Sequence, residues 1–214
     1  MDSIQLEDLK KALLLHKDTL ILDFRPHNLF DQGFISSSIF IGDQISRYHR
    51  LLKLNSENII YAVPHEDAVE TKMTLNKLGF ENITIIEQKF DVEKLSDVGL
   101  LDLIITIEPD ELAMDLPFDE KAKIIDLRSE NSFQASHIKD AENITLEEFA
   151  DVGTIAEIEE HENIYLFSNE NDTSFAGSLI KRQGLHNFRK IKGSLQEIAE
   201  TNKVKIIKEK SIKD

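Results

Sequence analysis

Apolar positions along this chain fall into runs of two kinds, and the same order of runs occurs twice. Leu6, Leu9, Leu13 and Leu14 recur at helical spacing. Leu20-Ile21-Leu22 is a short continuous apolar run that ends at Asp23, as a buried strand does. Phe24 to Gln32 is polar and turn-like. A second buried strand is predicted over Ile59-Ile60-Tyr61-Ala62-Val63, followed by the loop Pro64-His65-Glu66. Asp67 is placed to cap a helix whose apolar face is Ala68, Val69, Met73, Leu75 and Leu78. Gly79 then suits the left-handed position after a helix, and Ile83 to Ile86 is the next strand.

The second half runs through the same order. Ile104–Ile107 opens it, and Glu108-Pro109-Asp110-Glu111-Leu112 starts a helix with proline near its first turn. Ile124-Ile125-Asp126 is the strand before a polar turn, and Ile164-Tyr165-Leu166-Phe167 is the buried strand. Phe175, Ala176, Leu179 and Ile180 form the helix stripe, Gly184 ends it, and Phe188 to Ile191 follows as a strand.

The likeness extends to residues. Setting 21–41 against 124–144 at an offset of 103 gives seven identical pairs: Ile21/Ile124, Asp23/Asp126, Arg25/Arg128, Asn28/Asn131, Phe30/Phe133, Ile35/Ile138 and Ile41/Ile144. A later block, 58–83 against 163–188, aligns at an offset of 105. A period this long marks a duplicated domain of ordinary size instead of a solenoid. Short apolar strands alternating with helices predict an α/β fold, each half a central parallel sheet flanked by helices. The expected domains are residues 1–98 and 99–214, joined by Val92–Leu101. Ligands in such sheets sit at the carboxyl ends of strands. The candidate loops are therefore Ala62, Val63, Pro64, His65, Glu66, Asp67 and Ala68 in one half, and Phe167, Ser168, Asn169, Glu170, Asn171, Asp172 and Thr173 in the other.

Composition narrows the chemistry. The 214 residues contain no cysteine, so neither a thiolate nucleophile nor a disulfide is available. The formal charge of −15 argues against nucleic acid as a partner. One stretch runs against it: residues 203–214 carry five lysines against Glu209 and Asp214, either a solvated end or a docking strip for an acidic partner. No apolar run reaches the length of a membrane span, and the acidic start lacks a signal-peptide pattern, so a cytoplasmic protein without membrane contact is expected.

ILDFRPHNLFDQGFI and IIDLRSENSFQASHI resemble the Asp-x-Arg, aromatic, Gly-His-Ile signature of the rhodanese family, and the later strand, loop and helix resemble the part that carries its active-site loop. The resemblance covers nearly the whole chain as a tandem pair of rhodanese-like domains, similar to the paired rhodanese tail of metallo-β-lactamase-fold persulfide enzymes. It implies a cysteine at the end of the loop's strand that carries sulfur as a persulfide, an arginine that holds the anionic donor, and a permissive glycine. The cysteine slot lies 17 residues before the glycine that ends the helix. That count reaches Ala62 and Phe167; the arginine slots hold Asp67 and Asp172, and the glycine slots His65 and Glu170. The implied reaction therefore has no nucleophile in either half, and carboxylates stand where an anion would bind. Asp67 and Asp172 are expected to cap their helices and to exclude sulfate, phosphate or thiosulfate.

Other constellations reduce to packing or turns. Asp23-x-Arg25 and Asp126-x-Arg128 read as strand-end pairs, and His137 as a turn residue. His65-Glu66-Asp67 are adjacent, and adjacent residues rarely converge on one metal. Ser168, Thr173 and Ser174 have no histidine base in their loop, while His161 and His186 belong to other elements. Phe167 either fills the old pocket or packs at a strand end. The expectation is a pseudoenzyme without cofactor or metal that acts as an interaction or regulatory module for a protein partner, with persulfide or thiosulfate metabolism as its setting. The alternatives are a small-ligand sensor at an inter-domain cleft, or an enzyme of other, non-cysteine chemistry.

Overall fold

The computed structural model describes residues 3–15, 19–86, 92–158 and 163–208. The chain divides into two compact units, Met1–Ile104 and Ile105–Asp214. The division falls six residues beyond the boundary expected at 98/99. Val92–Leu101 is no linker: it forms a helix and the start of a strand that belong to the first unit.

The first unit contains β1 (Ser3–Ile4), α1 (Leu6–Leu15), β2 (Leu20–Asp23), α2 (His27–Phe30), β3 (Phe34–Ile35) and β4 (Ser38–Phe40). It continues through α3 (Ile45–Leu51), β5 (Ile60–Val63), α4 (Ala68–Lys77), β6 (Ile83–Ile86), α5 (Val92–Asp97) and β7 (Leu101–Asp102). Its five-stranded sheet has the order β1-β6-β5-β2-β4, with every pairing parallel. β3 and β7 form a separate antiparallel ribbon.

The second unit contains β8 (Thr106–Ile107), α6 (Pro109–Asp115), β9 (Ala122–Asp126), α7 (Glu130–Ala135), β10 (Ser136–Ile138), β11 (Glu142–Asn143) and α8 (Leu146–Phe149). Then come α9 (Val152–Ala156), β12 (Asn163–Phe167), α10 (Glu170–Arg182), β13 (Phe188–Ile191), α11 (Leu195–Glu200) and β14 (Ile206–Lys208). Its sheet order is β11-β9-β12-β13-β8, again all parallel, and β10 pairs antiparallel with β14. Substituting each strand by its counterpart in chain order converts one sheet order into the other.

The two cores are built alike. Leu6, Leu9, Ile21, Val63, Ile86 and Leu95 cluster in the first unit, and Ile107, Leu112, Ile124, Tyr165, Phe167 and Ile198 in the second. Gly79 and Gly184 end α4 and α10 at φ +89° and +82°, the left-handed position expected of them. The helix face of α4 is narrower than its apolar residues suggest. Thr71 and Leu75 are buried, whereas Val69 and Met73 are each 53% exposed. The short elements α2, α3 and α7 and the two ribbons leave no periodic signal in sequence, because two to seven residues cannot display a repeat.

Matched positions also differ. Phe30 stacks on Phe34 at 4.1 Å and meets Phe40 edge-on at 5.2 Å, all three buried. The same positions in the second unit hold Phe133, His137 and Asn143. Phe133 stacks on His137 at 3.9 Å, but both are half-buried.

Candidate functional site

The carboxyl ends of β2 and β5, and of β9 and β12, carry the residues singled out in sequence. Asp23 and Asp126 sit at strand ends and are buried. Each accepts the backbone N–H of the arginine two residues on and grips its guanidinium, with Nη2 2.6 Å from Oδ2 in both units. The same Nη2 reaches the Gly33 carbonyl in one unit and the Ser136 carbonyl in the other. Both pairs therefore tie a strand end to the neighbouring ribbon. Arg128 also lies over the Phe167 ring, 5.0 Å from its centroid. These arginines are engaged within the fold, in keeping with the structural role read from their spacing.

The strand register corrects one position. Asp23 faces Val63, and Phe24 N–H donates to the Val63 carbonyl at 2.9 Å. Asp126 faces Phe167, and Leu127 N–H donates to the Phe167 carbonyl at 2.9 Å. The counterpart of Phe167 is thus Val63, and Ala62 lies one place earlier. The count of 17 back from glycine misplaces the first unit because Val63 lies 16 residues before Gly79, whereas Phe167 lies 17 before Gly184. Both strand-end side chains are buried, and Phe167 is 4% exposed within the core cluster.

The segments that follow differ in shape. In the first unit Pro64, His65, Glu66 and Asp67 lie between β5 and α4. Asp67 caps α4 as expected, accepting the amides of Val69 at 2.7 Å and Glu70 at 3.1 Å. His65 and Glu66 project outward, with Nε2 3.4 Å from Oε1. In the second unit only Ser168 and Asn169 lie between β12 and α10. The expectation that Asp172 caps this helix is wrong. Asn169 is the cap and accepts the Asp172 amide at 2.9 Å, because α10 starts three residues after the strand end, not five. Asp172 lies inside the first turn, 6% exposed, and its Oδ2 accepts from Asn169 Nδ2 at 2.9 Å. Thr173 Oγ1 donates to the carbonyls of Asn169 and Glu170, and Asn171 lies in the same turn.

A buried lysine fastens that turn. Lys190 on β13 is 0% exposed. Its Nζ donates to the Glu170 carbonyl at 3.0 Å and to Ser174 Oγ at 2.8 Å, and pairs with Glu170 Oε2 at 2.7 Å. Those three contacts match the three donors of an ammonium. Sequence reasoning did not single out Lys190, although a lysine inside the apolar strand Phe188–Ile191 was the available signal. The matched position in the first unit is Ile85, since Ile85 pairs with Ala62 as Lys190 pairs with Leu166. Ser174 thus serves a lysine and is fully buried. His161 lies outside the described residues, as do positions 209–214 of the basic end. His186 Nδ1 is 3.2 Å from Lys181 Nζ, and His137 Nδ1 is 2.8 Å from the Phe133 carbonyl; His137 is hydrogen-bonded as expected but lies in strand β10, not in a turn.

At the opposite end of β12, Asp119 accepts from Asn163 Nδ2 at 2.8 Å, the Tyr165 hydroxyl at 3.0 Å and the Lys121 amide at 3.1 Å. Burial alone would raise the Asp119 pKa, but these donors outweigh it and hold the carboxyl below the ordinary aspartate range. Burial, helped by the Asp119 acceptor, pushes the Tyr165 hydroxyl up to about 12.

Comparison with known proteins bears on one unit above all. The profile of the rhodanese-like domain matches residues 108–201. These residues form a rhodanese-like domain. Among solved structures, the rhodanese-like domain of the Anabaena sp Alr3790 protein is 20% identical with a TM-score of 0.43, covering 50% of this chain and 83% of that one. Thiosulfate sulfurtransferase from Pseudomonas aeruginosa is 11% identical with a TM-score of 0.45, covering 98% of this chain and 44% of its own. The anaerobic ergothioneine biosynthesis enzyme from Chlorobium limicola is 13% identical with a TM-score of 0.42, covering 95% and 62%. The chain thus spans less than two thirds of either enzyme. No curated protein matches. Among the described residues no helix is long and apolar enough to cross a membrane.

Proposed function

We propose that the chain is a tandem pair of rhodanese-like domains that has lost sulfurtransferase chemistry and works as an interaction or regulatory module. The observation that carries this reading is Phe167 at the strand end of the rhodanese-like domain, in a chain with no cysteine at any position. A sulfur-transferring loop needs a thiolate at that place, and neither an aromatic ring nor Val63 in the first unit can form a persulfide. The matched strand orders of the two units, with matched Asp-Arg pairs, support the tandem assignment. Both loops are satisfied from within, by Asp67 in one and by Asn169 and Lys190 in the other. The partner in this reading is a cytoplasmic protein, of a kind that handles sulfur.

The test is thiosulfate:cyanide sulfurtransferase activity of the purified protein, freed of host rhodanese. The expected rate is that of the buffer blank, and turnover above it would overturn the reading. Val63→Cys and Phe167→Cys should be equally silent, because Asp67 and Asn169 already occupy the amides at the starts of α4 and α10. Calorimetric titration with sulfate, phosphate and thiosulfate at millimolar concentration should show no saturable heat.

A further inference from the structure

Among the described residues, the ribbon β10–β14 leaves one strand edge unpaired beside a groove. β14 has β10 as its strand neighbour among the described residues. Lys139 N–H donates to the directly opposed Lys205 carbonyl at 2.8 Å, which makes that a hydrogen-bonded pair. Antiparallel ladders alternate, so the backbone groups of Ile206 and Lys208 point away from β10. Ile206 and Lys208 line a groove of about 590 Å³ together with Ser136 of β10 and with Leu195, Ala199 and Glu200 of α11. The edge is basic in an acidic chain. Lys203, Lys205 and Lys208 are exposed, and residues 203–208 contain no acid against a chain charge of −15. One carboxylate of the lining, Glu200, opposes this, and it accepts from Gln196 at 3.1 Å.

The first unit takes up part of its matching edge: Leu103 N–H donates to the Asp102 carboxylate at 2.9 Å. Strand edges left open elsewhere are templates for added strands unless they are blunted. The lysines that blunt this edge against the same edge of another copy would attract an acidic segment.

We infer that the β14 edge and the groove beside α11 form a docking strip that takes an extended, acidic peptide segment of a partner protein as an added strand. The backbone of Ile206 and Lys208 supplies the hydrogen bonds, the apolar part of the groove takes alternate side chains, and the lysines select acidic residues. This inference rests on the interaction-module reading and names the partner's chemistry.

The probe is a fluorescent, N-acetylated octapeptide of alternating Glu and Val, titrated against the full chain and followed by anisotropy. Saturable binding is expected, weakened at least about tenfold in Ile206→Pro, which removes an edge N–H without touching the β10 ladder. The double variant Lys203→Glu, Lys205→Glu should weaken it by a similar factor, about tenfold. Since Ile206→Pro could disturb folding, the same probe N-methylated at alternate amides tests the unaltered protein, and it should not bind. No saturable binding, binding that survives N-methylation, or equal binding of an alternating Lys-Val octapeptide would overturn the inference. A silent titration would remove this edge as a docking strip and leave the module reading standing. Sulfurtransferase turnover would do the reverse.

Discussion

The two strand-to-helix turns start from matched residues and end in opposite states. After Val63 the first unit runs through four non-helical residues before α4, and an aspartate outside the helix satisfies its amides. After Phe167 the second unit needs two, and α10 is 13 residues long against 10 for α4. The difference traces to a strand two places removed in chain order. Lys190 replaces the counterpart Ile85, and its buried ammonium needs acceptors. Glu170 and Ser174 supply them only if residues 170–174 are coiled into a helix, so the turn is pulled tight. The more degenerate-looking loop in sequence, with His65, Glu66 and Asp67, keeps the longer connection. In the second unit the helix begins two residues sooner after its strand.

Mutations can break or sharpen this contrast. The largest effect is expected at the strand ends. Phe167→Ala should destabilise the second unit by about 4 kcal/mol, because a buried ring is lost and a cavity remains. Val63→Ala should destabilise the first by about 2 kcal/mol. Chemical denaturation, read with probes in each unit, would check both, and equal costs would contradict the assignment of Phe167 to the core. Next comes the lysine. Lys190→Ala should cost about 3 kcal/mol by leaving Glu170 and Ser174 without their shared partner. The exchange Ile85→Lys should cost at least as much, about 3 kcal/mol or more, since Ile85 is fully buried in the apolar core. Hydrogen exchange at Thr173 to Phe175 should quicken in Lys190→Ala, and unchanged protection would show that the helix does not depend on the lysine.

The far end of β12 gives a smaller, pH-dependent effect. Asp119→Ala should lose about 2 kcal/mol at neutral pH, from hydrogen bonds to a charged acceptor. The Asp119 pKa is lowered in the fold, so its contribution is present above the unfolded aspartate value. It is lost as pH falls through the folded one. The gap between wild type and variant should therefore close below about pH 4, and a gap independent of pH would refute the cause given. The unit-one counterpart of Asn163, by the same register, is the exposed Ile59, so no matching loss is expected there.

Cap removal should be milder still. Asp67→Ala should cost about 1 kcal/mol, and Asn169→Ala slightly more, since it also takes a donor from the buried Asp172. Thermal melts of the two variants would check the order. The smallest effect is a gain. The Ser38 hydroxyl is fully buried with no hydrogen-bond partner, and the counterpart position holds Ala141. Ser38→Ala should stabilise the first unit by about 0.5–1 kcal/mol, and a loss of that size would mean the hydroxyl has a role in the fold.

Much of this molecule was legible in one dimension. Continuous apolar runs ending at Asp23 and Asp126 marked buried strands, and Gly79 and Gly184 marked helix ends, because those properties are local. The repeat at an offset of 103 announced two like units, and the lack of cysteine needed no structure at all. What failed was whatever depended on a distant strand. The one-residue shift between Ala62 and Val63 is invisible to counting, since register is decided by which carbonyl meets the amide of Phe24. The cap of α10 was assigned to Asp172 from its place in the loop pattern, but Asn169 caps it, and Lys190, sixteen residues from Ser174, holds its first turn. Val69 and Met73 looked like core and lie exposed, because a helix buries only the stripe its neighbours cover. Sequence by itself determined the strands, the twofold order in which they recur and the absence of cysteine, each set by residue type or short-range pattern. Only the tertiary structure decided the register, the closed turn and the open edge of β14, because each depends on groups that meet across the sheet.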